Sequence, residues 1–75
     1  MVRLSGIYTQ ALQYDGNNNP IYIGQAIHGA SKAAPVWQIR KLTFDASNNV
    51  TDIQFASGSA SFGAVWDDRA TLAYS

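Results

Sequence analysis

Two stretches of the chain, thirty positions apart, carry the same local instruction. Leu12-Gln13-Tyr14 runs into Asp15 and then Asn18-Asn19; Leu42-Thr43-Phe44 runs into Asp45 and then Asn48-Asn49. An Asp bonds the backbone two residues on, and Asn and Gly tolerate positive φ, so each cluster reverses the chain. Alternation precedes each turn and resumes after it. Gln10 to Tyr14 puts Leu12 and Tyr14 on one side, and Ile21-Tyr22-Ile23 follows; Val36 to Phe44 is apolar-rich, and Val50 to Phe55 sets Ile53 and Phe55 opposite Asp52 and Gln54. A period of two bounded by turn formers predicts a β-hairpin in each half.

Aromatic–Asp–x–x–Asn is common turn chemistry, so two similar hairpins do not by themselves make a repeat. The match extends beyond the turns. Val36-Trp37 and Arg40 correspond to Val65-Trp66 and Arg69, and Leu42-Thr43-Phe44 to Leu72-Ala73-Tyr74. One residue of slip between Arg and Leu is a natural place for a β-bulge. A fixed period over several blocks marks a repeated unit: strand, Asp–Asn turn, strand, loop, then Val-Trp opening the next strand. A last strand is expected over about Arg69 to Tyr74. The segments Gln25 to Pro35 and Ser57 to Gly63, rich in small residues, read as loops. The expected fold is all-β: a small antiparallel sandwich or barrel of about five strands, with two repeated hairpins. Leu12, Tyr14, Ile23, Ile39, Leu42, Phe44, Ile53, Phe55 and Leu72, the apolar members of the alternating runs, are expected to supply most of the core.

The 75 residues suffice for one domain, residues 1–75, with Met1 to Ile7 as a possible N-terminal arm. A domain this small buries only about 60–65% of the surface its unfolded chain exposes. Disulfides, metals or association usually widen that margin. The chain has no Cys and a single His, His28, so thiolate and imidazole sites lack material. Association remains, as a homo-oligomer or on a larger partner. Five basic and five acidic residues balance to zero formal charge. Such a chain exerts no long-range pull on nucleic acid or anionic lipid, and no apolar run reaches membrane-spanning length. Neither nucleic acid nor membrane is therefore an expected partner, and the chain reads as made in a cytoplasm and kept there until assembly. Asn49-Val50-Thr51 fits a glycosylation sequon but reads as turn chemistry.

Catalytic constellations are thin. His28 lies in a Gly-flanked loop, with no Cys or Glu anywhere to orient it. Asp67 and Asp68 are adjacent, so on a strand they would point to opposite faces rather than form a facing pair. Asp15-x-Asn17-x-Asn19 echoes the start of a calcium loop, but position 26, where the closing acid belongs, is Ala. No cofactor is expected, and the chain reads as a non-enzyme. Trp37 and Trp66 hold matched places in the repeat. They fit either a small core closed by large aromatics or interface anchors, with Arg40 and Arg69 beside them. His28 and Lys32, in the first long loop, join them as candidate interface residues.

Leu12-Gln13-Tyr14-Asp15, then Tyr22-Ile23-Gly24-x-Ala26, then Trp37-Gln38-Ile39-Arg40-Lys41-x-Thr43-Phe44-Asp45, then Trp66-Asp67-Asp68-Arg69-Ala70 form an ordered series. It resembles a family of short proteins in tailed-bacteriophage and prophage genomes, over roughly Leu12 to Tyr74. The family's loop after Tyr-Ile-Gly usually holds Pro-Gly, where this chain has Ile27-His28-Gly29. The resemblance implies a structural role in the virion and no catalytic residues. The expectation is a head decoration or cement protein bound to the major capsid protein or its neighbours. The alternatives are an adaptor at the neck, tail or fibre base and, from another class, a glycan-binding β-module. The last requires solvent-facing Trp37 or Trp66.

Overall fold

A computed structural model describes residues 8–75; the possible N-terminal arm lies outside the described residues. Four strands, β1 (Tyr8–Tyr14), β2 (Pro20–Ile27), β3 (Pro35–Phe44) and β4 (Val50–Phe55), form an antiparallel meander in chain order. A short β5 (Ala64–Val65) pairs with the start of β3, and a single 3₁₀ turn, Trp66–Asp68, follows. The fold is all-β. All five strands share one sheet, and its second layer is irregular chain rather than another sheet.

The two hairpin turns share their backbone bonds and the bonds that the Asp Oδ1 accepts from the backbone. In the first turn the Asp15 N–H donates to the Asn19 carbonyl at 2.9 Å, and the Asn18 N–H to the Asp15 carbonyl at 3.2 Å. In the second, Asp45 and Asn48 repeat both bonds at 2.9 and 3.0 Å. Asp15 Oδ1 accepts from the N–H groups of Asn17 and Asn19, and Asp45 Oδ1 from those of Ser47 and Asn49. Asn18 and Asn48 take φ of 64° and 65°, left-handed backbone that Asn tolerates because its side chain bonds locally. Each hairpin has its register shift at the residue before the aromatic, Gln13/Tyr14 and Thr43/Phe44. The turns also touch: Asn19 Nδ2 donates to Asn48 Oδ1 at 2.9 Å.

The third copy of the unit is incomplete. Val65 ends β5, but Trp66 opens the 3₁₀ turn and Arg69 has helical φ and ψ. The strand expected over Arg69 to Tyr74 is reduced to one bridge, Ala56 to Tyr74. The one-residue slip in the repeat falls where the chain leaves extended geometry. This is the segment that crosses the sheet, and a crossing cannot continue as a ladder strand.

Register fixes what each face carries. Ala11, Gly24 and Ile39 are cross-strand neighbours, as are Thr9 with Ala26 and Gln13 with Tyr22 and Lys41. With Trp37 and Ala56 they make one face, and the C-terminal segment lies over it. The buried core is Ala11, Ala26, Trp37, Ile39, Ala56 and Trp66, with Tyr22, Val36, Leu72 and Tyr74 packed against it. Of the expected core, only Ile39 is fully inside and Leu72 packs at its margin. Leu12, Tyr14, Ile23, Leu42, Phe44, Ile53 and Phe55 lie on the opposite face, where Leu12 pairs with Ile23 and Leu42 with Ile53. They are half-buried or exposed, Leu12 at 44%, Tyr14 at 55% and Ile53 at 56%. Alternation grouped these residues correctly onto one side. It is silent on which side the remaining chain covers, and small residues such as Ala11, Gly24 and Ala26 let the tryptophans approach the other.

Candidate functional site

The two tryptophans are core residues, which corrects their placement among candidate interface residues. Trp37 is 1% exposed and Trp66 is 4%. Their rings lie 5.8 Å apart, inclined at 41°, within the range favoured by aromatic pairs. Trp37 Nε1–H donates to the Ser31 carbonyl at 2.9 Å, so the buried indole keeps a partner. Gly24 makes the close packing possible. A Cβ there would stand 2.5 Å from Trp66 Cε3 and 3.0 Å from Trp37 Cε3. Neither ring faces solvent, so the aromatic platform required of a glycan-binding module is absent at both positions.

The two arginines of the repeat diverge. The Arg69 guanidinium lies 4.7 Å from the Trp66 ring, and its Nε–H donates to Gln13 Oε1 at 2.6 Å, tying the C-terminal segment to β1. Arg40 lies on the opposite face, 5.6 Å from the Phe55 ring, and donates to Gln38 Oε1 at 2.9 Å. Gln38 in turn donates to the Ala60 carbonyl at 2.6 Å, anchoring the loop after β4 across the sheet. Both arginines therefore serve the fold, Arg69 on the covered face and Arg40 on the open one. His28 and Lys32 are exposed in the loop between β2 and β3. The Lys32 main-chain carbonyl accepts from the Asp67 N–H at 3.1 Å. The six residues do not converge on one site.

What remains available to a partner is apolar. A row of three cross-strand neighbours, Gln10, Gln25 and Gln38, divides the open face. Beyond it, at the end away from the hairpin turns, Tyr8, Ile27, Val36 and Phe62 line a shallow apolar cleft. Ile27 is 65% exposed, and the Tyr8 and Phe62 rings stack at 6.0 Å. On the near side lie Leu12, Tyr14, Ile23, Leu42, Phe44, Ile53 and Phe55. Sequence reasoning assigned these seven to the core. Alternation put the seven on one face and Trp37 and Ile39 on the other, without indicating which face the C-terminal segment covers.

Among the described residues no group of three or more His, Cys, Asp or Glu side chains could hold a metal ion, and no helix is long and apolar enough to cross a membrane. Asp45 and Tyr74 have shifted acid–base groups, and both residues belong to the scaffold. Backbone N–H groups of the turn, Asn49 first, hold the Asp45 carboxyl below its usual value. Burial, with the neighbouring Tyr22 adding to it, pushes the Tyr74 hydroxyl up to about 12. Its hydroxyl donates to the Arg69 carbonyl at 2.9 Å. Compared with protein-family models, curated proteins and solved structures, the chain matches none.

Proposed function

We propose that the chain is a structural protein of a tailed-bacteriophage virion, and within it a head decoration or cement protein held in many copies on the major capsid protein. The virion setting comes from the ordered sequence series. The observation that carries the docking role is the amount of apolar surface this small domain leaves open. Among the described residues, the large hydrophobic side chains Tyr8, Leu12, Tyr14, Ile27, Val50, Ile53 and Phe62 are exposed. A soluble monomer rarely leaves more than a few hundred Å² of contiguous apolar surface open, and larger patches mark interaction sites.

The cleft of Tyr8, Ile27, Val36 and Phe62 is the part assigned to the particle. It joins the loop after β2 and the loop after β4. The long loops carry almost no charge, which suits the centre of an interface. Chemistry plays no part in this role, and balanced charge keeps the chain from competing for packaged nucleic acid.

Quantitative mass spectrometry of purified particles from the phage or induced prophage carrying the gene tests this. Hundreds of copies per particle are expected. A dozen or fewer would move the protein to the neck, tail or fibre base, and its absence from particles would overturn the virion reading.

A further inference from the structure

The two turns of the repeat share their backbone bonds but differ in chemistry at one position. Asp15 is followed by Gly16, and Asp45 by Ala46. An aspartyl carboxyl that meets the nitrogen of the next residue can close a cyclic imide, and water reopens that ring on either side. We propose that Asp15 is a site of spontaneous isomerisation in the folded protein. The Gly16 nitrogen converts it through a cyclic imide into an isoaspartyl residue, while Asp45 in the second turn is protected.

The step balances without a cofactor or partner. The Gly16 nitrogen attacks Cγ of the protonated Asp15 carboxyl, and an N–Cγ bond forms. The amide proton and the Oδ2 hydroxyl leave together as water. Hydrolysis at Cγ restores aspartate. Hydrolysis at the main-chain carbonyl leaves the chain running through Cγ, longer by one methylene, with the original main-chain carboxyl as the side group. The net composition is unchanged.

The first observation concerns the nucleophile. From Asp15 to Asn19, every N–H except that of Gly16 donates a bond: Asp15 to the Asn19 carbonyl, Asn18 to the Asp15 carbonyl, and Asn17 and Asn19 to Asp15 Oδ1. Gly16 is exposed, and a Cβ there would meet nothing within 4 Å. Its nitrogen can therefore swing toward Cγ with glycine's conformational freedom. The second observation concerns the carboxyl. Attack develops negative charge on one oxygen, and the N–H groups of Asn17 and Asn19 already aim at Oδ1 from 2.8 and 3.0 Å. Fixed donors at a developing oxyanion lower the barrier. Among the described residues Oδ2 accepts no bond, so it is left to depart.

The third observation is the contrast with the second turn. Asp45 Oδ1 accepts the same pair of backbone bonds, but its Oδ2 is also held by Asn49 Nδ2 at 3.4 Å. The Ala46 methyl restricts the swing of the attacking nitrogen. The turn's hydrogen bonds hold the Asp45 carboxyl below its usual value, so at a given pH less of it is in the protonated form that loses water. Asp45 is thus an internal control. Isomerisation at Asp15 moves the carboxylate away from Asn17 and Asn19 and displaces the Tyr14–Pro20 pair, so it loosens the first hairpin alone. The inference is independent of the virion reading.

The full chain, stored folded at mildly acid pH in heavy-oxygen water, tests this. Tryptophan fluorescence reports that it stays folded, since both indoles are buried. Digestion and mass spectrometry, with fragmentation that separates aspartyl from isoaspartyl, then read each site. The Asp15 peptide should gain heavy oxygen and split into two chromatographic forms, and the Asp45 peptide should do neither. Gly16→Ala should slow the Asp15 reaction about 2–5-fold, the weight of glycine's freedom over alanine's. In concentrated urea the excess of Asp15 over Asp45 should shrink toward that same factor, because the Asn49 bond is gone. Equal rates at the two sites in the folded chain, a Gly16→Ala rate equal to the parent's, or an Asp15 that reacts in urea and not in the folded protein would overturn the proposal.

Discussion

Replacing Gly24 with Ala adds one methyl at the tightest point of the molecule. Gly24 lies in the middle of β2 and has no positive φ, so an Ala backbone fits without strain. By chain entropy alone the change would stabilise the fold by about 0.4–1 kcal/mol. Sterics oppose it. The new Cβ would stand 2.5 and 2.7 Å from Trp66 Cε3 and Cζ3, and 3.0 Å from Trp37 Cε3. Ordinary carbon contacts lie near 3.5–4.0 Å, so the Trp66 ring must retreat by about 1 Å. It cannot do so freely. Trp37 holds one side, the Arg69 guanidinium the other, and Arg69 is bonded to Gln13. Overpacking of this kind costs about 1–3 kcal/mol, and loosening the Arg69–Gln13 bond adds about 1 kcal/mol. The net expectation is a loss of about 1–3.5 kcal/mol, a large share for a small domain. Urea unfolding followed by tryptophan fluorescence reads it directly, with the native emission shifting as the two rings separate. If Gly24→Ala is as stable as the parent or more so, the close approach of Trp66 to β2 is wrong, and with it the placement of the C-terminal segment.

The two faces should respond differently to truncation: Ile39→Ala should cost about 2–5 kcal/mol, and Ile53→Ala well under half as much in denaturant titrations. Asn18→Ala and Asn48→Ala should each destabilise by about 1 kcal/mol, the penalty for non-glycine left-handed backbone, and Gly at either position should restore stability in the same titration. Tyr74 has a hydroxyl pKa raised to about 12, so its contribution is complete below pH 10 and is lost as pH rises from about 10 through 12. A 295 nm titration should show one tyrosine ionising late, and Tyr74→Phe should remove that step while costing about 1 kcal/mol for the bond to Arg69. Asp45 works in the other direction: its carboxyl sits below 3.8, so its support is present above that value and fades as pH falls further. Asp45→Asn should flatten this part of the acid-stability profile.

Much of this architecture was legible in the residues. Asp and Asn at fixed offsets specified two reversals and their left-handed positions, because that chemistry is local. Alternation specified which side chains share a face. The long-range part was hidden. Leu12 and Ile53 are more hydrophobic than Ala11 and Ala26, so a reading by side-chain size puts the core on the wrong side of the sheet. What reverses it is Gly24, flat enough to accept an indole, together with a C-terminal segment that turns at Trp66 instead of pairing. Trp37 and Trp66 sat at equivalent repeat positions, yet one is on a strand and the other in a 3₁₀ turn. The open cleft of Tyr8, Ile27, Val36 and Phe62 joins residues from four separate segments, which no local pattern announces.

The tie between Gln13 and Arg69 spans 56 positions in sequence, whereas each hairpin closes over fewer than ten. Chain-closure entropy grows with separation, so the hairpins can form on the microsecond scale before the cover arrives. Until it does, Trp37, Ile39 and Ala11 face water on a sheet whose other side is also apolar. A chain caught before that docking would be a ribbon apolar on both sides. Such a ribbon would expose apolar surface to other chains, and the docking of the C-terminal segment is what removes that exposure on one side.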